Sequence, residues 1–145
     1  MDWKKILGRA VYTVTHYSAD HDISAPFEVV VTAPATGAWW VQAEVIADAT
    51  ETLLIEEGVA IGVAGTAMTF RRLVRDGDHP DANGPAVEQG GTYTGGTELY
   101  QSVVPGARPY GIPFKLVAGT IYQFTVTSAA DNNVAALHLM AWKGP

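Results

Sequence analysis

The chain has 145 residues, enough for a single domain to bury roughly 70% of the surface its unfolded form exposes, so it needs no covalent staple. It contains no cysteine, which excludes a disulfide framework, a thiol nucleophile and any cysteine-based zinc centre. Nine basic and 15 acidic residues leave a net charge of −6, unfavourable for a protein that must neutralise nucleic-acid phosphates with clustered lysine and arginine.

The first ten residues differ from the rest. Lys4, Lys5 and Arg9 against Asp2 give residues 1–9 a balance of +2, while the other 6 basic and 14 acidic residues give −8. Trp3, Ile6, Leu7 and Ala10 fall at helical spacing, and Asp2 is placed to cap a helix start. So short a helix is marginal alone in water. Residues 1–10 are therefore expected to be either a frayed end or first strand, or an arm that orders against a partner. Residues 11–145 are expected to form one β domain. Ile6 and Leu7 are too few for a signal-peptide core, and no apolar run approaches the ~20 residues that cross a bilayer. The expectation is a soluble protein made in a cytoplasm, with no membrane partner.

His16, Asp20, His21 and Asp22 come next. They lack the His-x-x-x-His spacing that puts two ligands on one helical face, and they read as a polar turn. Period-2 alternation then dominates. Phe27, Val29 and Val31 alternate with Glu28, Val30 and Thr32. Trp39, Val41, Ala43, Val45 and Ala47 share a face opposite Gln42, Glu44 and Asp48. Leu53 and Ile55 share another, as do Tyr122, Phe124 and Val126. Glu56 and Glu57 are adjacent on a strand, point to opposite faces and cannot pair as glycosidase carboxylates. Residues 134–142 are apolar on both faces and read as a central strand covered on both sides, with His138 as a core histidine. Breaks fall at 33–37, 58–65, 76–84, 105–109, 118–119 and 131–133. The pattern predicts an all-β fold of eight or nine strands, an antiparallel sandwich or barrel.

Candidate chemistry is sparse. None of Ser18, Ser24, Ser102 and Ser128 sits in Gly-x-Ser-x-Gly, and no nucleophile stands beside an evident base. Arg71, Arg72 and Arg75 are followed by Asp76, Asp78 and Asp81, which reads as an ion-pair network within or between subunits. The same aspartates offer hard oxygen ligands but lack the closing bidentate glutamate of a calcium loop, so they are a weak metal candidate. Gly90-Gly91-Thr92 recurs as Gly95-Gly96-Thr97, which predicts a bulged hairpin. Neither a cofactor nor a catalytic residue is expected.

Four features give the chain a resemblance, over residues 16–142, to jelly-roll decoration (cement) proteins of tailed-phage heads. These are the Phe-Glu-Val-Val-Val strand at 27–31 and the aromatic-led strand from Trp39 into the acidic hairpin Leu54-Ile55-Glu56-Glu57-Gly58. The others are Gly65-Thr66-Ala67-Met68-Thr69 before Phe70, Arg71 and Arg72, and Phe114-Lys115-Leu116-Val117-Ala118-Gly119-Thr120-Ile121-Tyr122 before a closing strand ending in Trp142. The resemblance implies an antiparallel jelly-roll-like sandwich. It also implies a homotrimer on the outer capsid surface of a virion, where it bridges major capsid protein subunits against internal DNA pressure. The acidic loop at 76–84 departs from that pattern. In such a role, Trp3, Lys4, Lys5, Ile6, Leu7 and Arg9 are the candidate capsid-binding foot. Arg71, Arg72 and Arg75 are candidates for subunit or capsid ion pairs. The competing expectations are a carbohydrate-binding jelly roll, with Trp40, Tyr93 and Tyr100 stacking on sugars, and a fibre or adaptor part of a virion.

Overall fold

A computed structural model describes residues 11–72, 84–105 and 110–144. Among them there are eleven β-strands and no helix: β1 (Val11–His21), β2 (Phe27–Thr32), β3 (Trp39–Ala47), β4 (Glu51–Val63), β5 (Thr66–Met68), β6 (Arg71–Arg72), β7 (Ala86–Gln89), β8 (Thr92–Val104), β9 (Tyr110–Lys115), β10 (Ile121–Ser128) and β11 (Asn133–Lys143). Two antiparallel sheets result. Sheet A has the order β6-β1-β11-β3-β9 and sheet B the order β5-β7-β2-β10-β4-β8. The long strands pair from the chain ends inward, β1 with β11, β2 with β10, β3 with β9 and β4 with β8, and successive strands β1 to β4 alternate between the sheets. That nested wrapping is a jelly roll.

Alternation in the sequence decides which side chains fill the space between the sheets. Trp39, Val41, Ala43 and Val45 of β3 face Leu53 and Ile55 of β4 and Tyr122, Phe124 and Val126 of β10 in one buried cluster. Burial of each large apolar side chain contributes about 1.5–3 kcal/mol. Tyr12 packs on Trp39 with ring centroids 5.9 Å apart, and Phe114 packs between Tyr122 and Phe124 at 5.6 and 5.9 Å. Glu56 and Glu57 do fall on opposite faces, in register with outward Gln123 and core Tyr122.

Three expectations change. The eight long strands match the predicted number, but β5, β6 and β7 add three of two to four residues each. So short a strand carries too few alternations to register as period 2. β11 is central in sheet A, yet only one of its faces is covered. Ala135, Leu137, Leu139 and Ala141 are buried, while Val134 is 38% exposed and Ala136, His138 and Met140 are half-buried. His138 is thus not a core histidine. It lies on the outer face, with Nδ1 2.8 Å from Thr15 Oγ1. Finally, β1 runs straight through the predicted polar turn to His21, which is buried.

One connection shapes sheet B. β7 passes to β8 through Gly90 and Gly91 alone, although β2, β10 and β4 lie between them in the sheet. The far half of the β4–β8 strand pair, where Val59, Ala60, Ile61 and Val63 pair with Gly95, Thr94, Tyr93 and Thr92, must therefore arch over the outer face of sheet B. Gly58, Gly95 and Gly96 take φ of +78°, +73° and +96° at the bend, a conformation open mainly to glycine. Under the arch, outward-facing Val30 and Gln123 are 0% and 5% exposed.

Candidate interaction surface

The outer face of sheet A holds an apolar lane. The cross-strand register places Tyr17, Ala136 and Ile46 side by side, with Thr15, His138 and Glu44 in the next row and Thr13, Met140 and Gln42 in the row after. Tyr17 is 62% exposed and Ile46 44%. Together with Ala47, Asp48, Val134, Ala135 and Ala136 they line a shallow groove of about 340 Å³. Charges flank the lane on its own face. Exposed Arg71 of β6 is in register with Thr13, and Glu44 stands on β3, and neither makes an ion pair with a described residue.

Beneath one end of this lane a buried polar cluster joins the two sheets. His21 of β1 and Glu51 of β4 are 1% and 0% exposed, with His21 Nδ1 3.3 Å from Glu51 Oε2. That distance suits an ion pair, but the two groups are not aligned as a hydrogen bond. The Asn133 amide of β11 donates to Glu51 Oε1 and, at 3.1 Å, to Ser128 Oγ of β10. Burial pushes the Glu51 carboxyl above its ordinary range, and the neighbouring His21, Ser128 and the Asn133 amide pull it partly back. Burial also lowers His16, with the His21 charge adding to the effect. Both imidazoles pack on Phe27, each at a ring distance of 4.7 Å.

Backbone ties close the same end. Asp22 Oδ1 accepts from Asn132 N at 2.8 Å, Asp131 Oδ1 from Ile23 N at 3.0 Å, and Asp48 Oδ1 from Val134 N at 2.9 Å. Although serine, histidine and carboxylate meet here, Ser128 Oγ donates to Ala130 O at 2.6 Å and is 3% exposed. No substrate reaches it. The cluster is a clasp between sheets.

The predicted site residues scatter. Trp3, Lys4, Lys5, Ile6, Leu7, Arg9, Arg75, Asp76, Asp78 and Asp81 lie outside the described residues. Arg71 and Arg72 occupy β6 at the edge of sheet A, and the Arg72 Nε is buried without a hydrogen bond. Among the described residues no group of three acidic or histidine side chains is placed to hold a metal ion. Trp40 stands on sheet A, whereas Tyr93 and Tyr100 stand on β8 of sheet B, so the three aromatics do not form one sugar platform. Tyr100 packs against the core, and the Tyr93 hydroxyl accepts from Gly91 N at 3.0 Å. The lane of Tyr17, Ile46 and Val134 went unpredicted. Its sequence signals are Ile46, an apolar residue in the outward phase shared by Gln42, Glu44 and Asp48, and the apolar residues on both faces of 134–142.

The sequence matches no protein-family model and no curated protein. Among solved structures, the chain is similar to the crystal structure of Yersinia pseudotuberculosis-derived mitogen. The TM-score is 0.42 at 10% identity, over 94% of this chain and 87% of that one.

Proposed function

We propose that this chain is a decoration (cement) protein of a tailed-phage head, which assembles as a trimer and binds the major capsid protein on the outside of the shell. The observation that supports it is the exposed apolar lane on sheet A. A sheet face carrying Tyr17, Ile46 and Val134 in the open is a surface built to be covered. The cover proposed is a neighbouring copy. The lane is bordered by Arg71 on one side and Glu44 on the other, so the face carries charges of both signs for a second copy to match. The number three, and the shell as partner, come from the resemblance to decoration proteins. Cementing needs many modest contacts summed over linked copies rather than one tight pocket.

Binding to isolated heads of the encoding phage tests the reading. Saturable co-sedimentation of the full chain is expected, and Ile46→Glu is expected to abolish trimers and weaken sedimentation together. A chain that stays monomeric and never pellets with heads would overturn it. The basic segment is assigned the role of foot, so removing residues 1–9 should leave the trimer intact and reduce head binding by about tenfold or more. Unchanged binding would remove the segment from the proposal.

A further inference from the structure

The outer face of sheet A is open at one end and closed at the other. Tyr17 and Ile46 stand exposed at the groove end. At the opposite end of β1 the register sets Val11, Trp142, Trp40 and Lys115 in one row. Their strand neighbours Tyr12, Ala141 and Val41 belong to the core cluster, so this row has the outward phase. Yet Val11 is 2% and Trp142 8% exposed, and neither belongs to the cluster between the sheets. Trp40 is half-buried, with the Gly144 backbone against the edge of its indole.

Every described strand lies in one of the two sheets, and sheet B is on the other side, so no described strand covers this row. Apart from Pro145, three stretches lie outside the described residues. Residues 106–109 lead into Tyr110, whose partner Val45 is five residues along β3 from Trp40, about 17 Å away. Residues 73–83 run from the edge strand β6 of sheet A toward β7 of sheet B, and set Arg75, Asp76, Asp78 and Asp81 against Leu73 and Val74. Residues 1–10 meet the row itself, because Val11 is its first member. They also bring the matching chemistry. At helical spacing Trp3, Ile6, Leu7 and Ala10 form one apolar stripe, and Lys4, Lys5 and Arg9 fall on the opposite side. Ten helical residues span about 15 Å, enough to cross the roughly 10 Å from β1 over β11 to β3.

We propose that residues 1–10 dock as a short amphipathic helix on the Val11–Trp142–Trp40 row of their own chain. So short a helix is marginal alone in water, and the two indoles give its apolar stripe a surface to bury. Docked in this way, it turns Lys4, Lys5 and Arg9 away from the sheet, free to meet an acidic surface. Tyr17 is six residues from Val11 along β1, about 20 Å, so the docked segment leaves the apolar lane open. The docking is a property of the isolated chain and does not depend on the decoration reading.

The test is tryptophan fluorescence of the full chain carrying Trp3→Phe, in which Trp39, Trp40 and Trp142 remain. It is compared with the chain lacking residues 1–9 and with a full chain carrying Trp3→Phe, Ile6→Asp and Leu7→Asp. Blue emission that acrylamide quenches weakly is expected from the first. The other two should emit further to the red and quench more strongly, while amide protection of the β1–β11 ladder persists. Adding Trp142→Phe to the truncated chain should remove most of the red-shifted component. The same shielding in Ile46→Glu, and at every dilution, identifies the cover as the chain's own segment. Equal emission and quenching in all three chains would overturn the proposal. So would a red shift that comes with loss of ladder protection, or shielding that Ile46→Glu or dilution abolishes, which would make the cover a second copy. A chain that never forms trimers leaves these expectations unchanged, so the docking and the decoration reading can fail separately.

Discussion

At the closed end of the sandwich, Glu51 is fully buried within 3.3 Å of His21, and burial raises its carboxyl above the ordinary 4.5. A carboxyl whose proton is held more tightly in the folded chain contributes stability that is full below 4.5 and is lost as pH rises through the raised value. Glu51→Gln imitates the protonated form. Its stability relative to the parent should therefore climb with pH when urea unfolding is followed from about pH 4 to pH 8, and parallel profiles would show that the carboxyl does not titrate differently on folding. His21→Leu removes the imidazole beside the buried carboxyl and should cost about 3–5 kcal/mol. Phe124→Ala in the adjoining core should cost about 3–5 kcal/mol in the same assay. None of the clasp was legible in the sequence. His21, Glu51, Ser128 and Asn133 come from four strands, and nothing local marks a histidine as buried when its partner is thirty residues away. The neighbouring Asp20 and Asp22 made His21 look like part of a solvated turn.

The long strands were legible because burial on one face imposes alternation, as β3 and β10 show residue by residue. What alternation does not encode is where a strand goes once it leaves its sheet. The repeated Gly-Gly-Thr marked a bend, but the arch over sheet B follows from β7 and β8 being joined by two residues across three intervening strands. β11 misled for a related reason. Its outward Val134, Ala136 and Met140 are apolar, so the strand reads as covered on both sides, whereas within one chain they lie on the open face. The arch depends on its hinge. A Cβ at Gly96 would meet Val59 Cγ2 at 2.8 Å and Glu56 Cβ at 3.3 Å, at a φ of +96°. Gly96→Ala should lower stability by about 1–2 kcal/mol. It should also speed amide hydrogen exchange over residues 92–95, while the β1–β11 ladder keeps its protection.

For the whole molecule, the two sheets present different outer faces. Sheet A carries an apolar lane with charges of both signs on the same face, and the strands of sheet B carry glutamates beneath the β4–β8 arch. A trimer that buries sheet A would leave sheet B and its arch free. Ile46→Glu should therefore disperse the trimer while each chain keeps its fold. Sedimentation equilibrium of the full chain at micromolar concentration tests the trimer directly. Three copies of a 15.4 kDa chain should sediment as a single species of about 46 kDa that Ile46→Glu reduces to one chain. A folded parent that sediments at 15.4 kDa throughout that range would contradict a trimeric cement.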